Sequence, residues 1–229
     1  MSMFWREDNE SEKEFHVPDD VFDLVFKLSG SSLEIDHAYA LSEALQSHLG
    51  AGTCDKIGVH GVRMADSGNG WNRPEQIGAL LPLSRRARLV IRVHQDDCDE
   101  VLRITNKTLQ IGSQQLAVGE SAIRKLSTIS TLYARAVSCD RNQSEADFLA
   151  RVAELLNAMN IKVTKMICGK SGEIRTAGET IFTRALLVAD LDPEESVTLQ
   201  QLGLGEDQML GCGLFVPHKG IDAVHNVQE

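Results

Sequence analysis

The sequence contains no long apolar run and no basic segment at its start. Its uninterrupted apolar stretches are short, as at Ala185–Ala189, whereas a membrane-spanning helix needs about 20 apolar residues. The first 20 residues carry seven acidic and two basic side chains, the opposite of a secretion signal. We therefore expect neither a helical membrane protein nor a membrane partner.

Cysteine and histidine are present without the spacings that disulfide frameworks and metal sites use. The five cysteines form an odd, widely spaced set without a CxxC pair, and the seven histidines include no HxxxH or HExxH pair. Reduced thiols in a cytoplasm are therefore the expected state, and no metal or other cofactor is predicted.

Aromatic residues make up only 5% of the chain, with two tyrosines and two tryptophans. The aromatic motif with which ordinary RNA-recognition domains stack single-stranded bases is absent. The composition therefore argues against stacking of single-stranded bases across a sheet face. Trp71 lies in a glycine-flanked loop, where it could stack on a base or tuck into the core.

Charge is distributed unevenly along the chain, whose 33 acidic and 23 basic residues give a formal net charge of −10. Residues 190–209 carry six acidic and no basic side chains, while residues 81–184 carry 16 basic and 11 acidic ones. A polyanion can therefore bind the middle of the chain while the acidic segments face elsewhere. A solvated surface of scattered charge is the alternative.

The hydrophobic pattern predicts an α+β protein whose first half has the element order β-α-β-β-α-β. Apolar residues alternate over Val21–Ser29, as in a half-buried strand. A helix capped by Asp36 follows, with apolar positions three or four residues apart and an end at Gly50. Also predicted are strands at Ile57–Met64 and Arg88–Val93, a short helix at Asp96–Ile104 and a hairpin at Thr108–Val118.

The second half repeats this order, so the chain is predicted to form tandem ferredoxin-like domains. A strand at Leu132–Val137 precedes a helix capped by Ser144, and a helix with Pro193 in its first turn follows later. The remaining predicted elements are strands at Val163–Ile167, Ile181–Leu191 and Leu214–Val216, with a loop at Cys168–Thr180. The predicted divisions are an acidic lead-in at 1–18, domains at 19–125 and 130–221, and a tail at 222–229.

A double-glycine loop with the sequence GLGEDQMLGCG occupies residues 203–213. It follows a predicted helix and precedes a predicted strand, the reverse of a Rossmann fingerprint, and it lacks the Gly-Lys-Ser/Thr of a phosphate loop. Glycines permit positive φ and close approach of another backbone, and exposed amides in such turns suit phosphate oxygens. An ordinary flexible connection with a glycine cap is the alternative.

Placed before the last strand of a second βαββαβ unit, this loop resembles the signature of the repeat-associated RNA-binding proteins of CRISPR systems. Over residues 15–221 the chain is similar to the Cas6 family of repeat-cleaving endoribonucleases. The segments DHAYAL (36–41), SGNGW (67–71) and LGCGLFVPHKG (210–220) most resemble its type I MYXAN-subtype branch. The resemblance implies metal-independent cleavage of precursor CRISPR RNA beside a stem-loop. Attack by a ribose 2′-hydroxyl would leave 5′-hydroxyl and 2′,3′-cyclic phosphate ends.

Such a reaction needs a base, an acid and positive potential at the phosphate. His37 follows Asp36 at the predicted first helical position. The positive end of the helix favours binding of phosphate there and lowers the pKa of the imidazole, whereas the negative charge of Asp36 raises that pKa. Family members often place a catalytic histidine in or near this helix, so the resemblance implies His37 as the base. A surface histidine is the alternative. The resemblance also implies Tyr39 and Ser171 as catalytic or substrate-positioning groups.

Basic side chains concentrate around the predicted Cys168–Thr180 loop, which by resemblance would enter the base of an RNA stem. Contacts of lysine or arginine with phosphate add affinity and salt dependence without sequence information. A solvated hairpin is the alternative. The predicted RNA-binding residues are Arg85, Arg86, Lys165, Lys170, Arg175, Arg184, Gly203, Gly205, Gly211, Gly213, His218 and Lys219.

The partners implied by the resemblance are a CRISPR repeat RNA stem-loop, whose product hairpin the protein would retain, and subunits of a type I (Cascade-like) effector complex. Two other functions stay open at this point. One is a non-catalytic RNA-binding subunit of the same superfamily. The other, from a different class, is a ferredoxin-like protein-interaction domain.

Overall fold

The computed structural model describes residues 15–62 and 78–218. The strands are β1 (Val21–Ser29), β2 (Ser32–Glu34), β3 (Gly58–His60), β4 (Leu80–Pro82), β5 (Arg88–His94), β6 (Thr108–Ile111), β7 (Gln114–Lys125), β8 (Leu132–Cys139), β9 (Lys165–Arg175), β10 (Thr180–Ala189) and β11 (Phe215–Pro217). The α-helices are α1 (Ala38–Leu49), α2 (Ala51–Cys54), α3 (Cys98–Leu102), α4 (Glu145–Ala158) and α5 (Pro193–Leu202). Within the described ranges, no helix is both long enough and apolar enough to cross a membrane.

The N-terminal half (residues 15–125) contains a five-stranded antiparallel sheet with the strand order β3-β5-β1-β7-β6. Alternate residues of β1 face one side of this sheet, where Leu24 and Phe26 are buried together with Leu41 and Leu45 of α1. Leu41 and Leu45 are four residues apart and therefore lie on one stripe of the helix. The strands β2 and β4 pair separately beside this sheet.

The C-terminal half (residues 132–217) contains a four-stranded antiparallel sheet with the strand order β11-β8-β10-β9. The helix α4 begins after Ser144, whose hydroxyl accepts a hydrogen bond from the Asp147 amide. The helix α5 has Pro193 in its first turn, and Asp192 and Glu195 form a capping box there. Both helices contribute buried apolar side chains to a second core, separate from the first.

The predicted α+β class is confirmed, as are the first strand and the three longer helices. The predicted cap of α1 is wrong, because Asp36 pairs with Arg175 and His37 takes the N-cap position. The predicted loop at 168–180 is also wrong, since β9 continues to Arg175 and only residues 176–179 form the turn. Residues 170–173 are poor strand formers, and backbone pairing with β10 overrides that preference. The strand predicted at Ile57–Met64 is confined to Gly58–His60 within the described residues.

A buried arginine joins the two halves. Asp23 of β1 lies directly opposite Arg92 of β5 and Arg124 of β7, on the sheet face away from the first core. The Arg92 guanidinium donates to both carboxylate oxygens of Asp23, at 2.9 and 3.3 Å. The same guanidinium donates to the carbonyl oxygens of Gln200 (2.8 Å) and Phe215 (2.9 Å) in the C-terminal half. Asp23 and Arg92 are almost fully buried, so these charge-assisted bonds fix how the halves meet.

The charges of this buried network depend on one another. Burial by itself raises the pKa of the Asp23 carboxyl, but the adjacent His60 and Arg92 outweigh it and hold the pKa well below its ordinary value. The stability contributed by the Asp23 carboxylate is therefore fully present above the ordinary Asp pKa and is lost as the pH falls below it. His60 has its pKa lowered by burial, and its Nε2 lies 3.8 Å from Asp23 without a hydrogen bond to any described residue.

The variant Arg92→Met should lower the free energy of unfolding by about 3–5 kcal/mol, because it strips donors from a buried carboxylate and two buried carbonyls. Arg124→Met is the matched control. Arg124 bonds the same carboxylate at 2.8 Å, but its side chain is half exposed, so its loss should cost about 1 kcal/mol. Urea unfolding at pH 7 measures both. Equal losses would contradict the assignment of Arg92 as the link between the halves.

Candidate active site

His37 lies at the start of α1 and is buried, with 8% of its surface accessible. Its carbonyl accepts the first helical hydrogen bond, from Leu41, so it occupies the N-cap and not the predicted first helical position. Its Nδ1 lies 2.8 Å from the Glu34 carbonyl oxygen, and its Nε2 lies 3.1 Å from the Val62 amide nitrogen. Because a carbonyl only accepts and an amide N–H only donates, Nδ1 carries the proton and Nε2 accepts.

The surroundings of His37 hold its imidazole neutral. Burial lowers the pKa of His37 below the ordinary histidine value, and the charge of Arg135 adds to this effect. Backbone hydrogen bonds at Glu34 and Ile35 and the charge of Asp36 oppose the lowering but do not reverse it. A neutral imidazole that is protonated at Nδ1 keeps its basic lone pair on Nε2. The fold therefore selects the tautomer and charge state that a general base requires.

Glycine is required by the backbone of the loop at residues 203–213. Gly203, Gly205, Gly211 and Gly213 all have left-handed φ, between +66° and +87°. At Gly213 a Cβ atom would lie 1.9 Å from the carbonyl oxygen of Leu204, far inside contact distance. A side chain at position 213 would therefore force the loop apart.

The amides of this loop are mostly used inside the protein, so the prediction of exposed amides for phosphate is wrong for three of the four glycines. Gly205 alone keeps an exposed N–H without a partner among the described residues. Next to it, Glu206 and Asp207 add carboxylates, and burial followed by the charge of Glu206 raises the pKa of Asp207. The internal bonds run from Gly203 to Leu199, from Gly211 to Gln208 and from Gly213 to Ala136.

The glycine loop meets the N-terminal half beside His37. A Cβ atom at Gly211 would lie 3.2 Å from the carbonyl oxygen of Val59 in β3, so the two backbones are in close contact. A Cβ atom at Gly61, just after β3, would lie 3.6 Å from the Nε2 atom of His37. Met209 of the loop packs against the first core. The start of α1 and the glycine loop, about 170 residues apart in the sequence, therefore converge through the end of β3.

The hairpin of β9 and β10 reaches the same end of α1. Arg175 forms an ion pair with Asp36 at 3.4 Å. A hydrogen bond with the Glu43 carboxylate raises the pKa of the Tyr39 hydroxyl, and a hydrogen bond at the Ala177 backbone opposes this shift. Tyr39 therefore lies against the hairpin while His37 lies against β3, as expected for residues two positions apart on a helix.

Lys170 and Ser171 lie in the middle of β9, within the segment that was predicted to be a loop. Both are exposed, as is Lys165 at the start of the strand. Neither lysine forms an ion pair with another described residue, so both side chains are available to an external anion.

Two predicted RNA-binding arginines have partners within the protein. Arg175 pairs with the carboxylates of Asp36 and Glu173. Arg184 is partly buried and donates to the Gln143 carbonyl oxygen at 2.9 Å. A phosphate would have to displace these partners to bind either guanidinium.

The other predicted site residues are not gathered around His37. Arg85 and Arg86 are exposed in the loop between β4 and β5, and no hydrogen bond or ion pair within residues 15–62 and 78–218 joins them to His37 or the glycine loop. His218 lies beside Tyr133, with 5.7 Å between ring centres. Over the same ranges, no group of three His, Cys, Asp or Glu side chains is arranged to hold a metal ion. Lys219 and Trp71 lie outside the described residues.

Arg135 is a candidate site residue that was not predicted from the sequence. This residue is exposed on β8, and the next residue, Ala136, accepts the N–H of Gly213 at 2.7 Å. The charge of Arg135 reaches His37 and lowers the pKa of its imidazole. Arg135 has no ion-pair partner in the described part of the chain. A single arginine between Ala134 and Ala136 is the only signal in the sequence, and it favours no particular role.

The variant Gly213→Ala should lower the free energy of unfolding by about 2–4 kcal/mol, because its Cβ collides with the Leu204 carbonyl at a left-handed φ. Gly52→Ala is the matched control, since Gly52 lies in α2 and an added Cβ meets nothing within 4 Å. Alanine there should raise stability by up to about 1 kcal/mol. Thermal unfolding compares the two, and equal stability of both variants would refute the loop geometry.

Comparison with known proteins identifies relatives along most of the chain. The family profile described as Cas6 Crispr matches residues 22–220. The CRISPR-associated endonuclease Cas6 of Myxococcus xanthus (strain DK1622) is 29% identical over 196 residues, which cover 85% of this chain and 80% of that protein.

Solved structures share the fold at low sequence identity. The structure of a Cas6-related gene from Pyrococcus furiosus has a TM-score of 0.60 at 13% identity, and the match covers 86% of this chain and 98% of that chain. A CRISPR associated protein Cas6 has a TM-score of 0.58 at 10% identity, covering 87% of this chain and 100% of that chain. A RAMP protein described as binding different RNA substrates has a TM-score of 0.58 at 13% identity, and the match covers 85% of this chain and 98% of that chain. Because the profile matches most of its length, the chain belongs to the Cas6 family of CRISPR-associated proteins.

Proposed function

We propose that this protein is a metal-independent endoribonuclease that cleaves the repeats of precursor CRISPR RNA next to a stem-loop. Membership of the Cas6 family supports the substrate class. The observation that carries the proposal is a neutral imidazole, His37, held where the glycine loop meets β3. We further propose that each βαββαβ half is a ferredoxin-like domain, at 19–125 and 130–221, preceded by an acidic lead-in.

In the proposed mechanism, His37 is the general base. Its Nδ1–H is directed at the Glu34 carbonyl, so the lone pair of Nε2 is available for a proton. Without RNA that lone pair accepts from the Val62 amide. The ribose 2′-hydroxyl takes the place of this amide, gives its proton to Nε2, and attacks the adjacent phosphate. A bond forms between the 2′-oxygen and phosphorus, the bond from phosphorus to the 5′-oxygen breaks, and the leaving oxygen takes a proton from water, which yields 2′,3′-cyclic phosphate and 5′-hydroxyl ends.

Arg135 is the proposed source of positive potential at the scissile phosphate. Negative charge builds on the phosphate oxygens in the transition state, and a fixed guanidinium stabilises it. Arg135 is exposed, lies one residue from the bond that anchors Gly213, and is close enough to His37 to shift its pKa. Its charge also favours the neutral form of the base.

The hairpin of β9 and β10 supplies the remaining proposed contacts with the RNA stem. Lys165 and Lys170 are exposed and reach phosphates, and Ser171 lies between them and the turn, where it positions the ribose. Tyr39 acts as a hydrogen-bond donor to the RNA, to which it transfers the hydrogen bond that its hydroxyl makes with the Glu43 carboxylate. Of the four loop glycines, only Gly205 has the free amide that an RNA contact requires.

The proposed partners are the repeat stem-loop, which the protein keeps after cleavage, and subunits of a type I effector complex. The proposed compartment is the cytoplasm, where the five free cysteines would stay reduced. The acidic side chains at 1–20 and 190–209 are suited to contacts with protein or solvent, and a contact of the second segment with RNA would use the backbone amide of Gly205.

One observation favours a second function, that of a non-catalytic RNA-binding subunit. Both ring nitrogens of His37 have partners, and the side chain is buried. In that case His37 serves only to tie α1 to the end of β3. The two functions differ in whether the scissile 2′-hydroxyl matters, so a repeat RNA with one deoxyribose at the cut site distinguishes them.

The wild-type protein should cleave repeat RNA in the presence of EDTA, and His37→Ala should cleave it about 10²–10⁴-fold more slowly. Because burial lowers the pKa of His37 below the ordinary histidine value, most of the base is neutral at neutral pH. We therefore expect the single-turnover rate to fall only in acid, at a lower pH than for a base with the ordinary histidine pKa. Single-turnover cleavage of labelled RNA at several pH values measures this.

Two controls accompany this measurement. The deoxy-substituted RNA should bind with unchanged affinity and resist cleavage, and His37→Ala should still bind the hairpin. Cleavage by His37→Ala at the wild-type rate, or a strict requirement for Mg²⁺, would contradict the mechanism. Tight binding without any cleavage by the wild type would support the second function instead.

Arg135→Ala should reduce the cleavage rate about 10²-fold with little change in stability, because the side chain is exposed. The control is Arg141→Ala, which removes the same charge from another exposed arginine of the C-terminal half, one that lies over the Phe182 ring. Arg135→Lys should recover part of the rate, since it keeps the charge. Equal cleavage rates for the Arg135→Ala and Arg141→Ala proteins would rule out the proposed role.

A further inference from the structure

A cavity of about 420 Å³ lies where β1 ends, beside the loop from β4 to β5. Among the described residues, its lining includes three cations, Lys27, Arg85 and Arg88, and two hydroxyls, Ser29 and Ser84, but no carboxylate. The volume lies within the range of small-ligand sites. In a chain with a net charge of −10, three cations around one cavity create a local positive potential that favours an anion.

The cations of the cavity have hydrogen-bond donors that are available to a ligand. Lys27 pairs with Glu120 at 3.1 Å, but the two side chains are 64% and 82% exposed, so an anion can readily replace this partner. One nitrogen of the Arg88 guanidinium donates to the carbonyl oxygens of Arg85 (3.2 Å) and Ala87 (2.7 Å). The other two Arg88 nitrogens and the whole Arg85 guanidinium have no partner among the described residues.

The loop that carries Arg85 is held in place on both sides. The Leu83 amide donates to the Ser31 carbonyl at 3.0 Å, and the Ala87 amide donates to the Ser84 carbonyl at 2.9 Å. The Ala87 side chain is fully buried in the first core. The backbone of this loop is therefore already ordered, and only the cationic side chains lose conformational entropy when a ligand binds.

The sheet register relates the cavity to the junction between the halves. Lys27 lies directly opposite Arg88, and the same face of these strands carries Asp23 and Arg92. Arg92 bonds to the C-terminal half, so this face is turned towards the junction. Four residues along β5 separate Arg88 from Arg92, which corresponds to about 13 Å. The cavity and the junction therefore lie on the same face of the sheet.

We propose that this cavity binds the phosphate of a single-stranded nucleotide that flanks the repeat hairpin. The proposal rests on the proposed function, which supplies the RNA. The chemistry of the site defines the ligand as a phosphate group bound by two or three cations and a hydroxyl. A free mononucleotide carries the same group and is a separate arm of the test.

The experiment compares the affinity of the full-length protein for a bare repeat hairpin and for the same hairpin with its single-stranded flanks. The wild type should bind the flanked RNA about tenfold more tightly, and Lys27→Gln/Arg85→Gln should lose this preference. The slope of log affinity against log salt for the flanked RNA should become shallower by about 1.4 in this double variant. The control double variant is Arg103→Gln/Lys107→Gln, which removes the same charge from exposed positions of the same half and should keep the preference. Thermal unfolding checks that both variants are folded.

A flank preference that survives in Lys27→Gln/Arg85→Gln would overturn the proposal. So would a wild type that binds adenosine monophosphate in the cavity but shows no flank preference, because the ligand would then be a free nucleotide. These outcomes are independent of cleavage. Loss of cleavage with an intact flank preference refutes the nuclease and keeps the cavity assignment, whereas cleavage without the preference refutes only the cavity assignment.

Discussion

The buried guanidinium of Arg92 is the interaction on which the arrangement of this protein depends. Its charge is balanced by Asp23 in its own sheet, and its remaining donors serve the carbonyls of Gln200 and Phe215 in the other half. A buried charge without such partners would be strongly unfavourable, so only one relative position of the two halves satisfies this group. The contact between the glycine loop and β3, and with it the surroundings of His37, follows from that position.

The main role of the glycine loop is structural, and its direct contribution to an RNA site is small. Its left-handed residues let the chain turn tightly from α5 into β11, and its internal hydrogen bonds use the amides that a phosphate would need. Among the four glycines, only Gly205 keeps an amide that is free for RNA, while Gly211 approaches β3 closely. A loop of this kind acts by positioning other groups, since it brings β8 with Arg135 beside the start of α1.

The candidate base illustrates a compromise between stability and reactivity. Burial keeps His37 neutral and holds its tautomer through Glu34, which suits proton abstraction. The same burial gives Nε2 an internal partner in Val62, so substrate must compete for that atom. The Nε2 atom is therefore blocked until RNA binds. The free energy for breaking its hydrogen bond with Val62 has to come from contacts of the RNA made elsewhere, such as those with the β9 lysines.

Local sequence patterns determined the α+β class, the cap at Ser144, the position of Pro193 in the first turn of α5 and the need for glycine in the loop at residues 203–213, because capping and φ preferences are properties of short segments. The tertiary structure alone decided which atoms meet. The ion pair with Arg175 removed Asp36 from its predicted cap, and pairing with β10 turned a polar loop into the strand β9. The burial of His37 and the position of Arg135 beside it depend on contacts between residues about 100 positions apart, which no local pattern encodes.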